Sequence, residues 1–177
     1  MTKKIVIFLI LVILITFSMS NIAYAQAPIQ PSPFGPKVSE LKNKEDILRS
    51  LEDIKKVRAT LTVINISANT PQGELKAIDT SLQGYIKQLQ NIKVSLEKHA
   101  NTYSNSFPYV FFSEQISFIA DSYIISIRHQ QVLVRALANN IEEASKLFYL
   151  SYMIPVYNYL TLGDEMTAYI QTYFVYG

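Results

Sequence analysis

The side chains that could do chemistry are few in this sequence, and their spacing does not assemble a site. There is no cysteine, so a thiolate nucleophile, a zinc–thiolate centre, an iron–sulfur cluster and a disulfide framework are all excluded. The two histidines are His99 and His129. Neither has an acid three residues before it, as a carboxylate-bridged metal bundle requires. Glu97 and His99 are two apart, which on a helix turns them about 200° from one another. Two histidines are also too few for a His-rich zinc centre. Asp121, Ser122, Ser126 and His129 lie close in sequence, but a serine nucleophile needs a sharp turn and an oxyanion hole, and nothing nearby supplies either. Five scattered glycines form no phosphate loop, dinucleotide fingerprint or nucleophile elbow. The expectation is a protein that is not an enzyme, with no catalytic, cofactor-binding or metal residues and no cofactor.

Two patterns suit recognition instead. Glu114, Asp121, Arg128, Arg135 and Glu142 recur every seven residues. On a helix that spacing draws one charged stripe, either a solvated ridge or a ladder that meets a partner helix and sets its register. The other pattern is tyrosine. The chain has 12 tyrosines, and Tyr149, Tyr152, Tyr157, Tyr159, Tyr169 and Tyr173 crowd the C-terminal region. A tyrosine ring is apolar along its body and polar at its tip, which fits a protein interface or a membrane headgroup layer. These six are the candidate partner-binding residues, against the alternative that they complete a core.

The elements that must carry these patterns follow from periodicity. Apolar types make up 49% of the 177 residues and charged types 17%, which excludes a disordered chain. Lys3 and Lys4, the apolar run Ile5 to Phe17 and the Ala23-Tyr24-Ala25 motif form a signal peptide, cut after Ala25. An uncleaved anchor is the rival reading. Its removal leaves 14 basic and 14 acidic residues, too balanced for nucleic-acid binding. Residues 26–38 carry Pro28, Pro31, Pro33 and Pro36 and read as an extended linker.

From Ser39 onward, Ile47, Leu51, Ile54, Val57, Leu61 and Ile64 mark a first helix ending near Asn69–Gly73. Leu75, Ile78, Leu82, Tyr85, Leu89, Ile92, Leu96, His99 and Tyr103 alternate steps of three and four, a heptad seam about 45 Å long. Gly84 inside it suggests a close helix crossing. A third helix runs from Tyr109 to Phe148 with Gln130 on its seam. It is apolar on both flanks of the charged stripe, as befits the central helix of a bundle. Pro155 breaks the pattern and opens a shorter fourth helix. Residues 39–177 thus predict an all-α, antiparallel helical bundle of three long helices plus a shorter C-terminal helix, preceded by a signal peptide and a Pro-rich tether. Residues 37–106 are net basic and 107–177 net acidic, so the halves complement each other.

The expected function is that of an exported, non-enzymatic bundle of the cell envelope, secreted or periplasmic. It would act in protein–protein interaction or assembly, as a secretion or surface-structure component does, and regular seams allow a homo-oligomer. One alternative is a membrane-associated protein that inserts the uncharged run Leu147–Gly163, with Phe107–Ile127. A second is a bundle that holds an apolar ligand between its helices.

Overall fold

The computed structural model describes residues 36–64, 66–67, 69–139 and 148–176. Among them the fold is all-α, a bundle of four helices with no strand. Helix α1 is Lys44–Thr60, α2 is Gln72–Thr102, α3 is Phe107–Ala138 and α4 is Ile154–Ile170. A 3₁₀ turn, Val38–Glu40, precedes α1. One π-helical turn, Phe148–Met153, leads into α4 and another, Gln171–Val175, follows it. The signal peptide and residues 26–35 of the linker lie outside the described residues. Val38, placed at the linker's end by sequence, is already buried in the core.

Helix α2 follows its seam. Leu75, Leu82, Leu89, Leu96 and His99 are buried, while Ile78, Tyr85 and Ile92 pack partly buried against them. Helix α1 differs from expectation. It stops at Thr60, because Leu61 turns to extended backbone (φ −75°, ψ 104°) and Thr62, Val63, Ile64 and Ile66 follow. β-Branched residues lose side-chain freedom in a helix and tolerate extended backbone well. Leu61 is buried and Ile64 partly buried all the same, so the apolar pattern marked core residues correctly while misplacing the helix end; Ile66, outside that pattern, is buried as well.

Helix α3 is the centre. It packs on α1, α2 and α4 and buries sixteen of its residues. Its described part ends at Ala138 with Asn139 as cap, and the expected continuation through Ile141, Glu142 and Ala144 lies outside the described residues. The contacts of α3 run in reverse order along α2. His99 meets Ser113, Lys93 meets Asp121, and Asp79 meets Gln131 and Arg135. They also run in reverse along α4, where Phe112 meets Phe174, Tyr123 meets Asp164 and Ser126 meets Val156. Helices α2 and α4 therefore both run antiparallel to α3.

Helix α4 buries Val156, Leu160, Gly163, Thr167 and Ile170, and the turn beyond it buries Phe174. Pro155 sits in its first turn, directly after the π-helical turn, and the chain stays helical across it, with Met153 already in the helical region. The close crossing lies at Gly163 rather than Gly84. A Cβ on Gly163 would stand 2.4 Å from Tyr123 Cε1, whereas one on Gly84 would meet nothing within 4 Å. Replacing Gly163 by Ala should lower stability by about 1–3 kcal/mol, the usual cost of overpacking a filled core. Gly84→Ala should raise it by about 0.5–1 kcal/mol through helix propensity alone. Thermal melts of the two variants check both signs.

Candidate interaction surface

The serines and the histidine that lie close in sequence on α3 are engaged in packing and backbone contacts. Ser122 Oγ donates to the carbonyl of Phe118 (3.0 Å) and Ser126 Oγ to that of Val156 (2.9 Å). The His129 ring stacks on Tyr159, with centroids 6.0 Å apart and planes 14° from parallel. Among the described residues no three His, Asp or Glu side chains gather as a metal set.

The polar network with the most partners joins α1, α3 and α4. Arg58 donates to both Asp164 oxygens, Nε at 2.8 Å and Nη2 at 2.7 Å. The buried Tyr123 hydroxyl donates to Asp164 Oδ1 at 2.8 Å. Arg58 also lies over the Tyr123 ring, 5.9 Å from its centroid. Burial alone would raise the Asp164 carboxyl, but hydrogen bonds from Arg58 and Tyr123 outweigh it and hold the group below its ordinary 3.8. Burial, with the Asp164 charge beside it, pushes the Tyr123 hydroxyl up to about 12. This cluster locks helices together and offers no free reactive group.

The richest aromatic surface is the end of the bundle where α2 and α4 finish and α3 begins. Two ring clusters meet there. In one, Tyr103 and Tyr109 stack at 4.4 Å, and both lie near the His99 ring. The Tyr109 hydroxyl accepts the backbone N–H of Lys42 at 2.9 Å, and the Asn43 amide reaches the Tyr103 hydroxyl, tying α1 to the same end. In the other, Phe107, Phe111, Phe112, Phe174, Tyr169 and Tyr173 form a chain of rings with neighbouring centroids 5.2–5.7 Å apart. Its inner members Phe112 and Phe174 are buried, while Phe107 is 68% exposed and Tyr169 40%. Tyr176, 75% exposed, follows just beyond.

The six candidate tyrosines therefore divide. Tyr157 and Tyr169 are exposed. Tyr152 and Tyr173 pack partly buried against the core, and Tyr159 is half-buried against His129. Tyr149 lies on the first π-helical turn, its side chain outside the described part. Sequence reading missed Phe107 and Phe111, although the run Phe107-Pro-Tyr-Val-Phe-Phe112 was visible as an aromatic cluster of its own.

The charged stripe also divides. Lys93 donates to Asp121 at 2.6 Å and Arg135 Nε to Asp79 at 3.1 Å, so two members bridge to α2. Glu114 and Arg128 are exposed and form no ion pair with another described residue. Glu142 lies outside the described residues. Beside the stripe, α2 and α3 leave an open groove of about 850 Å³. Lys93, Glu97, Glu114, Asp121 and Arg128 line it together with Val94 and Ile125, so it is mixed in character rather than an apolar ligand chamber.

Two seam residues carry buried polar atoms without partners among the described residues. Gln130 is 2% exposed and its amide Oε1 and Nε2 are both unpaired; His99 pairs through Nδ1 with Ser113 at 3.2 Å and leaves Nε2 unpaired. Burial holds the His99 imidazole below its ordinary 6.5, against a smaller opposing pull from Asp46. A depressed histidine favours the neutral form in the folded chain, while the unfolded chain takes up the proton first. Its contribution to stability is thus complete above about pH 6.5 and falls as pH drops through that value. Urea denaturation should show a lower midpoint at pH 5.5 than at pH 7.5, with the difference reduced in His99→Asn.

No protein-family model, curated protein or solved structure matches this chain.

Proposed function

We propose that the protein is an exported, non-enzymatic helical bundle that works by binding another protein in the cell envelope or outside the cell. Lys3, Lys4, the apolar run and Ala23-Tyr24-Ala25 support export and cleavage near Ala25, and the prolines of residues 26–36 support a spacer before the bundle. The observation that carries the binding role is the aromatic end, with Phe107, Tyr169 and Tyr176 exposed on a rigid base of buried rings. Aromatic side chains held in fixed positions are the commonest anchors of protein interfaces, because they give large contact area for little lost freedom.

A membrane role has less behind it. Helix α3 is the one described helix long and apolar enough to cross a membrane, but 56% of its most apolar stretch is buried in the bundle. Asp121 and Arg128 on the same helix would be costly in lipid.

Two outcomes test this reading. Cells expressing the full chain should yield a product of mass beginning at Gln26 that is soluble or released by alkaline carbonate. A carbonate-resistant product would overturn it. The combined variant Phe107→Ser, Tyr169→Ser, Tyr176→Ser should lose capture of the envelope partner at least about tenfold while its helicity is unchanged. Equal capture by the variant would remove the aromatic end from consideration.

A further inference from the structure

The outer arc of α3 carries a second seven-residue pattern that the bundle leaves uncovered. Phe118, Ile125 and Val132 lie on one line, with Phe118 46% and Val132 53% exposed and Ile125 half-buried. Residues seven apart on a helix drift by only about 20°, so the three share a face. The charged line of Glu114, Asp121, Arg128 and Arg135 runs beside it, on the side toward α2, where Asp121 and Arg135 already reach Lys93 and Asp79. From Glu114 to Arg135 the order is acid, apolar, acid, apolar, base, apolar, base.

That order is self-complementary when reversed about Ile125. We propose that the uncovered face of α3 binds the same face of a second copy, antiparallel, around a two-fold axis passing over Ile125. Ile125 of each copy meets its counterpart, and Phe118 of each copy meets Val132 of the other. Asp121 of each copy meets Arg128 of the other, and Glu114 meets Arg135. A two-fold axis across the helices keeps α2 opposite α2, so the charged lines of both copies fall on the same side and come together.

The chemistry of the pairs is available. Lys93 occupies Asp121 Oδ1, which leaves Oδ2 for Arg128. Asp79 occupies Arg135 Nε, which among the described residues leaves both terminal nitrogens for Glu114. Glu114 and Arg128, unpaired within the described residues of one copy, both gain partners. A parallel pairing would instead put the two charged lines on opposite sides of the apolar seam, where Glu114 and Arg128 would gain no partners from each other's line. Sliding the antiparallel pair by one heptad sets Arg128 on Arg128 in one direction and Asp121 on Asp121 in the other, which like charges oppose. The stripe is about 32 Å long at 1.5 Å per residue, and the groove beside it, lined by Val94 and Ile125, gives the facing side chains room. This face is distinct from the aromatic end, so either can fail without the other.

The absence of cysteine makes the register directly measurable. Single substitutions Ile125→Cys, Phe118→Cys and Val132→Cys would be oxidised in the exported chain purified from cells expressing the full sequence. Ile125→Cys should give a disulfide-linked dimer, because the two positions face across the axis within the few ångströms a disulfide spans. Phe118→Cys alone should not, since its two copies would stand about 21 Å apart along the helix. A mixture of Phe118→Cys and Val132→Cys should link. A dimer of Phe118→Cys with itself would show parallel pairing and overturn the proposal, as would failure of Ile125→Cys to link.

Sedimentation equilibrium supplies a second readout. Arg128→Glu and Asp121→Arg should each weaken the dimer at least about tenfold, and an equimolar mixture should restore it, because the altered charges complement across the axis. An unchanged dissociation constant for Arg128→Glu would overturn the assignment. So would a wild-type chain that stays monomeric at every concentration, or that partitions into lipid vesicles through this face instead of dimerising.

Discussion

One carboxylate holds the architecture. Asp164 on α4 accepts from Arg58 on α1 and from Tyr123 on α3, so a single side chain ties together three of the four helices. Its geometry answers its cost. A partly buried charge loses hydration, and a bidentate guanidinium plus a phenol hydroxyl returns most of what is lost. Tyr123 gains as much, since its ring is buried and its hydroxyl would otherwise be stranded. The contact is reached only because Gly163 lets the ring lie against the α4 backbone, and Thr167 satisfies its own hydroxyl on the Gly163 carbonyl at 2.8 Å.

The placement of α4 decides the rest of the surface. Once α4 lies along α3, Phe174 is carried between Phe111 and Phe112, and Tyr159 is laid on His129. Helix α2 closes the other flank of α3 through a line of polar contacts from His99 to Asp79. Gln72, at the start of α2, adds a hydrogen bond to the Ala138 carbonyl at 2.9 Å, closing the far end. With α1 behind it, α3 keeps only one narrow arc for solvent, and that arc holds three large apolar side chains among its charges.

How much of this was legible in the sequence depended on side-chain size. The α2 seam was readable because leucine and isoleucine mark it against polar faces. The inner face of α4 was not, because its central members are Gly163 and Thr167, which no apolar pattern flags. Periodicity placed Leu61 and Ile64 correctly as apolar contacts but could not show that the chain leaves the helix at Leu61. The seven-residue charge spacing on α3 was evident, whereas which charges pair within the chain depends on α2, brought alongside by folding. The tyrosine-rich C-terminus drew attention to half of the aromatic end. Its other half comes from Phe107 and Phe111, some sixty residues earlier, and no local pattern joins the two.

That division has a consequence in time. The α2–α3 contacts close short loops, the His99–Ser113 hydrogen bond spanning only 14 residues, but the Arg58–Asp164 clasp spans 106. Short loops close first because they lose less chain entropy. The antiparallel pair α2–α3 is thus the natural nucleus, and α4 arrives after it. Phe107 and Tyr169 become neighbours in one cluster only when that last helix docks. A chain whose last helix has not yet docked has all of its aromatic residues and none of its aromatic end, so that surface exists only on molecules that have finished folding.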